Sequence, residues 1–193
     1  MIYYTSDLHF GHKNILKYEH RPFYTVEGMA QGLIENWNNT VRSENDEIYV
    51  LGDVAFTNSK LTVDILNDII KQLKGKKHLI VGNHDHFINK KDFKPYLWEE
   101  IVPYKEIKDS YKDEDHNIIT KDIVLCHYPI ESWNGKEHGS IHLHGHLHSH
   151  PTELALANRY NVGCDLWRYK PVTLQEIIDK ENEYDPADDK FMN

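Results

Sequence analysis

Ile48-Tyr49-Val50-Leu51-Gly52-Asp53 is an unbroken apolar run that stops at a glycine and then a carboxylate. An apolar run of this length, rich in β-branched residues, reads as a strand buried on both faces. Gly52, without a Cβ, lets the chain turn where the strand ends, and Asp53 stands at that end with oxygen atoms suited to a cation. The same pattern recurs along the chain. Ile2-Tyr3-Tyr4 leads to Asp7 and His9, Leu79-Ile80-Val81 to Gly82-Asn83-His84-Asp85, and Ile123-Val124-Leu125 to Cys126-His127.

Helical patterns lie between the first three runs. Met29, Leu33, Trp37 and Val41 recur every four residues behind a candidate N-cap, Thr25. Leu61, Ile65, Ile69 and Leu73 do the same before Lys74 and Gly75. Strand, helix, strand, helix, strand is the order of a parallel sheet. From Ile101 onward strand-like segments dominate, separated by a polar loop from Asp109 to Asn117, which predicts antiparallel additions and a second sheet. The expected class is α/β, with two packed, mostly mixed β-sheets flanked by helices. In an open α/β sheet the carboxyl ends of the strands share one rim, so the polar strand ends are expected to meet.

The chain has 193 residues, the size of one domain, which we expect over residues 1–180 with an acidic, frayed tail over 181–193. Lys plus Arg number 22 against 31 Asp plus Glu, a net charge of −9, which disfavours extended nucleic acid but not a small phosphorylated substrate or short nucleotide. Two cysteines without paired spacing exclude a disulfide framework or zinc knuckle. No signal peptide or bilayer-length apolar run is visible, so a cytoplasmic protein without a membrane partner is expected; oligomeric state is not readable.

Six of the 14 histidines (His138, His142, His144, His146, His148, His150) crowd one stretch. Their interleaving with Ile141, Leu143 and Leu147 predicts a strand rather than low complexity. Asp7-Leu8-His9 and His146-Leu147-His148 place ligand types two residues apart, which in extended backbone points them to one side. Carboxylate, imidazole and amide ligands without thiolate suit Mn, Fe, Zn, Ni or Co. Asp7, His9, Asp53, Asn83, His127, His146 and His148 exceed the ligands one ion needs, so two divalent ions are implied. Taken singly, each motif has an ordinary reading: a capping pair, a turn, a core histidine. Their order and shared position at strand ends favour a metal site.

Taken together, the stretches DLH, GD, GNHD, CH and GHLH, from Asp7 to His148, resemble the ordered motifs of the calcineurin-like metallophosphoesterases. RPF at Arg21 to Phe23 and NVGCD at Asn161 to Asp165 look like a compact bacterial and phage branch of that family. The resemblance implies a metallophosphoesterase sandwich, with Asp7, His9, Asp53 and His148 on one ion and Asp53, Asn83, His127 and His146 on the other. It further implies a hydrolase that cleaves a phosphomonoester or phosphodiester by in-line attack of a metal-bridging hydroxide, with His84 as a non-ligand general acid. Many relatives read Gly-Asp-x-x-Asp at the second motif, where this chain has Phe56. Two alternatives stand beside that reading: a non-catalytic metal-binding scaffold of the same fold, and, among enzymes, a nuclease or cyclic-nucleotide phosphodiesterase. His12 and Asn14 either line the site or cap a helix start. Arg21 either clamps a substrate phosphate or takes the commoner fate of an arginine, a surface ion pair. Asp85 is read as an orienting or turn-forming residue, and His142 and His144 as strand residues paired within the fold.

Overall fold

A computed structural model describes residues 1–150 and 156–183; the tail expected over 181–193 therefore falls outside the described residues after its first three positions. The first sheet holds strands β1 (Ile2–Thr5), β2 (Glu47–Val50), β3 (Lys76–Ile80) and β4 (Glu100–Val102), in that spatial order and all parallel. The second holds β5 (Tyr104–Lys112), β6 (Ile118–Cys126), β7 (Ile141–His144) and β8 (Arg159–Asn161). Here β5 pairs antiparallel with β6, while β6, β7 and β8 run parallel. The molecule is thus α/β with two four-stranded sheets, one parallel and one mixed, where mostly mixed sheets were expected.

Alternation along the strands divides the interior into two cores. Tyr3, Ile48, Val50 and Leu79 face Met29, Leu33, Trp37, Leu66, Ile69 and Ile70 of the helices. Tyr4, Tyr49, Leu51 and Ile80 face Ile123, Leu125, Ile141 and Leu143 of the second sheet. The two-sided burial that the apolar runs predict follows from this sharing.

The helices are α1 (Ile15–Tyr18), α2 (Val26–Thr40), α3 (Val63–Gln72) and α4 (Leu174–Glu183). Thr25 caps α2 by accepting from Gly28 N at 3.0 Å, as its position predicts. On α3 the buried face is Leu66, Ile69 and Ile70, and Ile65 is exposed. The four-residue spacing read from Leu61 was therefore misplaced: Leu61 precedes the helix, whose N-cap is Thr62. The loop expected from Asp109 to Asn117 is shorter, because β5 continues through Lys112 and β6 starts at Ile118. These positions alternate between half-buried and exposed, so their polarity marks a strand with one face to water. No described helix is long and apolar enough to cross a membrane.

Candidate metal centre

The carboxyl ends of β1, β2, β3, β6 and β7 meet where the two sheets converge. Strand order in the first sheet never reverses, so the crevice lies between the sheets rather than at a switch point within one. Asp7, His9, Asp53 and His127 form a buried floor, and Asn83, His84, His146 and His148 form a half-buried rim. A Cβ on Gly52, at φ +84°, would stand 2.5 Å from His127 Nδ1 and 2.7 Å from Gly82 N. One on Gly145 would overlap Ser6 Oγ and lie 2.6 Å from Asp7 Oδ2. Both glycines are required by the closeness of the strand ends.

The extended Asp-x-His geometry does not occur. Asp7 (φ 56°), His9 (51°), Asp53 (55°), His146 (72°) and His148 (52°) all sit in the left-handed region. Side chains with a Cβ visit it at a cost of about 1–3 kcal/mol each, and persist there where surrounding contacts over-determine them. Those contacts are present. Asp7 N donates to Gly52 O at 3.0 Å, His9 N to Asp53 O at 3.0 Å and Gly145 N to His127 O at 3.0 Å. His146 N donates to both oxygens of Asp7, at 3.2 and 3.0 Å.

Asp53 lies at the middle of the cluster. Its Oδ2 is 3.6 Å from His9 Nε2 and its Oδ1 3.6 Å from His127 Nε2. His84 N donates to Oδ1 at 2.8 Å, while His84 Nε2 stands 4.0 Å from Oδ2 on a side chain 38% exposed. Asn83 Oδ1 is 3.0 Å from both His127 Nε2 and His146 Nδ1. His127 Nδ1 contacts Leu51 O at 2.7 Å, which fits a proton on Nδ1 and leaves Nε2 facing Asp53. Asp85 accepts from Asp53 N at 3.0 Å, Val54 N at 2.8 Å and Gly82 N at 2.8 Å, the orienting role read for it. Burial raises its pKa to about 6 against these hydrogen bonds.

A cation fits this donor set. Ligand atoms of Asp7, His9 and His148, and of Asp7, Asp53 and His127, lie within 4.8 Å of one another. Both ring nitrogens of His9 are buried without a hydrogen-bond partner, a rare condition for a polar group in a folded interior. Burial pushes the His9 imidazolium down to about 2, so the ring is neutral with a lone pair to offer. Burial likewise lowers His127 and His146. Asp7 is pushed up to about 7 by burial, which outweighs His148 and the Ser6 hydroxyl donating to it.

Arg21 is the main departure from the sequence reading. Its guanidinium is wholly buried, clamping Asp165 through Nε at 2.7 Å and Nη2 at 2.8 Å. It also donates to Asp7 O at 2.7 Å and Leu8 O at 2.9 Å. It is neither a surface ion pair nor a free fork for phosphate, because the strand-end turn and Asp165 take its donors. Asp165, which carried no role in the sequence reading, also lies 3.0 Å from His148 Nδ1. Burial lowers the His148 pKa, but Asp165 and Asp7 outweigh it and the net shift is upward. The one hint of Asp165 was its place in NVGCD, which supplies a further contact: Asn161 Nδ2 donates to His148 O at 3.0 Å.

The His12 ring lies 5.3 Å from that of His9 and stacks on Phe56 at 5.0 Å, so it stands at the rim. Asn14 is exposed at the start of α1 and its side chain makes no cap. His142 and His144 lie in β7, with Nδ1 atoms 3.1 Å from Val124 O and 2.8 Å from Gly145 O. The predicted strand of the histidine tract ends at His144. Beyond it the chain turns, which is what brings His146 and His148 into the cluster.

No family model matches the chain. It is 36% identical over 182 residues to the uncharacterized protein MJ1445 of Methanocaldococcus jannaschii, covering 92% of this chain and 89% of that protein. It is 29% identical over 201 residues to the Gene 66 protein of Mycobacterium phage L5, covering 93% of each. Among solved structures, the protein of unknown function AQ665 from Aquifex aeolicus superimposes with a TM-score of 0.64 at 27% identity, covering 94% of this chain and 98% of that one.

Proposed function

This chain belongs to the family of the uncharacterized protein MJ1445, and from the cluster its strand ends assemble we propose that it is a dinuclear metal-dependent phosphoesterase of the calcineurin-like kind. The observation that carries the reading is Asp53, whose two oxygens each face a different buried imidazole at 3.6 Å. A carboxylate has lone pairs enough to serve two cations, so Asp53 is the residue that two ions would share. Asp7, His9 and His148 complete one set, and Asn83, His127 and His146 the other. Two such ions supply a nucleophile at neutral pH and Lewis acidity for the phosphoryl oxygens.

The chain's own residues do the rest. Neutral His9, His127 and His146 offer lone pairs, Asp85 fixes the backbone under Asp53, and Asp165 fixes the ring of His148. His84, fastened by its backbone and with its imidazole 38% exposed, hydrogen-bonds the phosphoryl group and protonates the departing alkoxide.

The purified protein, loaded in turn with Mn²⁺, Zn²⁺, Co²⁺, Ni²⁺ or Fe²⁺, is expected to hold about two ions per chain and to release p-nitrophenol from mono- or bis-p-nitrophenyl phosphate. Inertness with every metal would overturn the enzyme reading in favour of a binding scaffold.

Ion uptake should depend on pH through Asp7. Its folded pKa of about 7 lies above the ordinary 3.8, so at pH 6 the buried carboxyl is mostly protonated and a cation must displace that proton. At pH 8 it is already ionised. Apparent affinity should rise between pH 6 and 8, with protons released at pH 6 from Asp7 and from His148, whose pKa Asp165 and Asp7 hold upward. Metal titration in weakly buffered solution with a pH indicator measures this, and equal proton release at both pH values would discard Asp7 as the linked group.

Asp165→Asn removes the charge that orients His148. Ion affinity should fall roughly 10–100-fold. Calorimetric metal titration of the two proteins gives the ratio, and an unchanged affinity would remove Asp165 from the site.

A further inference from the structure

Nine large hydrophobic side chains are exposed among the described residues, and three of them, Tyr18, Phe56 and Tyr128, are in ring contact with histidines of the candidate site. Phe56 is 43% exposed, stacks on His12 at 5.0 Å and lies 6.1 Å from the His84 ring. Tyr128 is 44% exposed and stands edge-on to His127 at 5.0 Å and to His146 at 4.9 Å. The two rings border opposite halves of the cluster. The His84 imidazole, beside Phe56, lies 4.0 Å from Asp53 Oδ2, whereas the His127 imidazole, beside Tyr128, lies 3.6 Å from Oδ1. Exposed apolar rings are ordinary when scattered, but their gathering at one polar crevice marks a binding surface.

We propose that the substrate is a phosphodiester whose two organic arms each carry a planar, nucleobase-type ring, one stacking on Phe56 and the other on Tyr128. This rests on the phosphoesterase reading above. A phosphoryl group within reach of Asp53 and His84 has an aromatic side chain on either side. A monoester has one organic arm and would leave one ring uncovered, whereas a diester has two, and in-line displacement sends its leaving arm away from the attacking side. Stacking suits this task because every base has a π-face, giving affinity without demanding one sequence. The net charge of −9 favours a short ligand over a long polyanion. A free dinucleotide and the end of a single strand share this chemistry.

The test is equilibrium binding to metal-loaded His84→Asn protein, which suppresses turnover during the titration. The probes are a dinucleoside monophosphate, adenosine 5′-monophosphate, ribose 5-phosphate and an eight-residue single strand. The dinucleotide should bind roughly tenfold or more tighter than the mononucleotide, and the mononucleotide tighter than the base-free sugar phosphate. Phe56→Leu and Tyr128→Leu should each erase most of the dinucleotide advantage, and Phe56→Trp should retain it, a pattern that apolar packing alone would not produce. A strand binding no tighter than the dinucleotide identifies the small molecule as the source, and a tighter one identifies the strand end. Equal affinity for all the probes, or a preference untouched by both leucine variants, overturns the proposal. If wild-type protein still hydrolyses bis-p-nitrophenyl phosphate in that case, the phosphoesterase reading stands without it. If that protein is also inert towards both mono- and bis-p-nitrophenyl phosphate with every metal, both fall.

Discussion

Replacing His84 with alanine is expected to lower turnover of a bis-aryl phosphate by roughly 10²–10⁴-fold while leaving about two ions bound per chain. The expectation comes from how the residue is held. Its backbone N–H donates to Asp53 Oδ1 at 2.8 Å, so the residue is tied to the centre through an atom that alanine retains. Its imidazole is 38% exposed, with Nε2 4.0 Å from Asp53 Oδ2, at the mouth of the crevice rather than in its floor. A group so placed can meet a phosphoryl oxygen or a leaving alkoxide without being needed to assemble the cage. Metal content by elemental analysis and turnover on the same sample check both halves. Unchanged turnover would end the acid role, and a loss of bound metal alongside activity would make His84 a ligand instead.

Arg21→Met should destabilise the ion-free protein by about 3–5 kcal/mol, because it strands the Asp165 carboxylate in a buried position without its partner. In a chain of this size that corresponds to a fall in melting temperature on the order of 10 °C. The loss has a second source. Arg21 also holds Asp7 O and Leu8 O, the carbonyls of the left-handed turn that aims Asp7 and His9. Methionine matches much of the volume but supplies no donor, so packing alone would predict a small change. Arg21→Lys keeps the charge but cannot reach two carboxylate oxygens and two carbonyls at once, and should recover only part of the stability. Denaturant melts of the three proteins measure this; a loss below about 1 kcal/mol for Arg21→Met would place the pair among those that contribute little.

His148 shows how reading and structure part company. Its candidacy was legible in GHLH, because a glycine followed by paired imidazoles after an apolar run is a local pattern. Its orientation was not, since the partner that holds Nδ1 is Asp165, in a segment whose sequence distance carries no periodicity. Arg21 is the complementary case. An arginine ordinarily stays at the surface, yet a guanidinium goes inside when its donors are met, here by a carboxylate 144 residues away, the Asp7 and Leu8 carbonyls and the Met29 sulfur. RPF and NVGCD, visible in the sequence as separate features, are the two sides of that clasp.

What the sequence by itself determined was the order of parts: buried strands, the glycines that stop them, and the seven residues set at their ends. Burial periodicity and turn chemistry act over a few residues, so they can be read along the chain. The tertiary structure decided the conformation at those ends. Asp7, His9, Asp53, His146 and His148 take left-handed backbone that none of their neighbours in sequence would impose. They take it because two sheets converge there, with Gly52 against Gly82 and Gly145 against Ser6, and because Arg21 and Asp7 accept or supply the hydrogen bonds that hold the turns. Strain of that kind persists only where distant segments close on it from several sides, which is a property of the assembled fold.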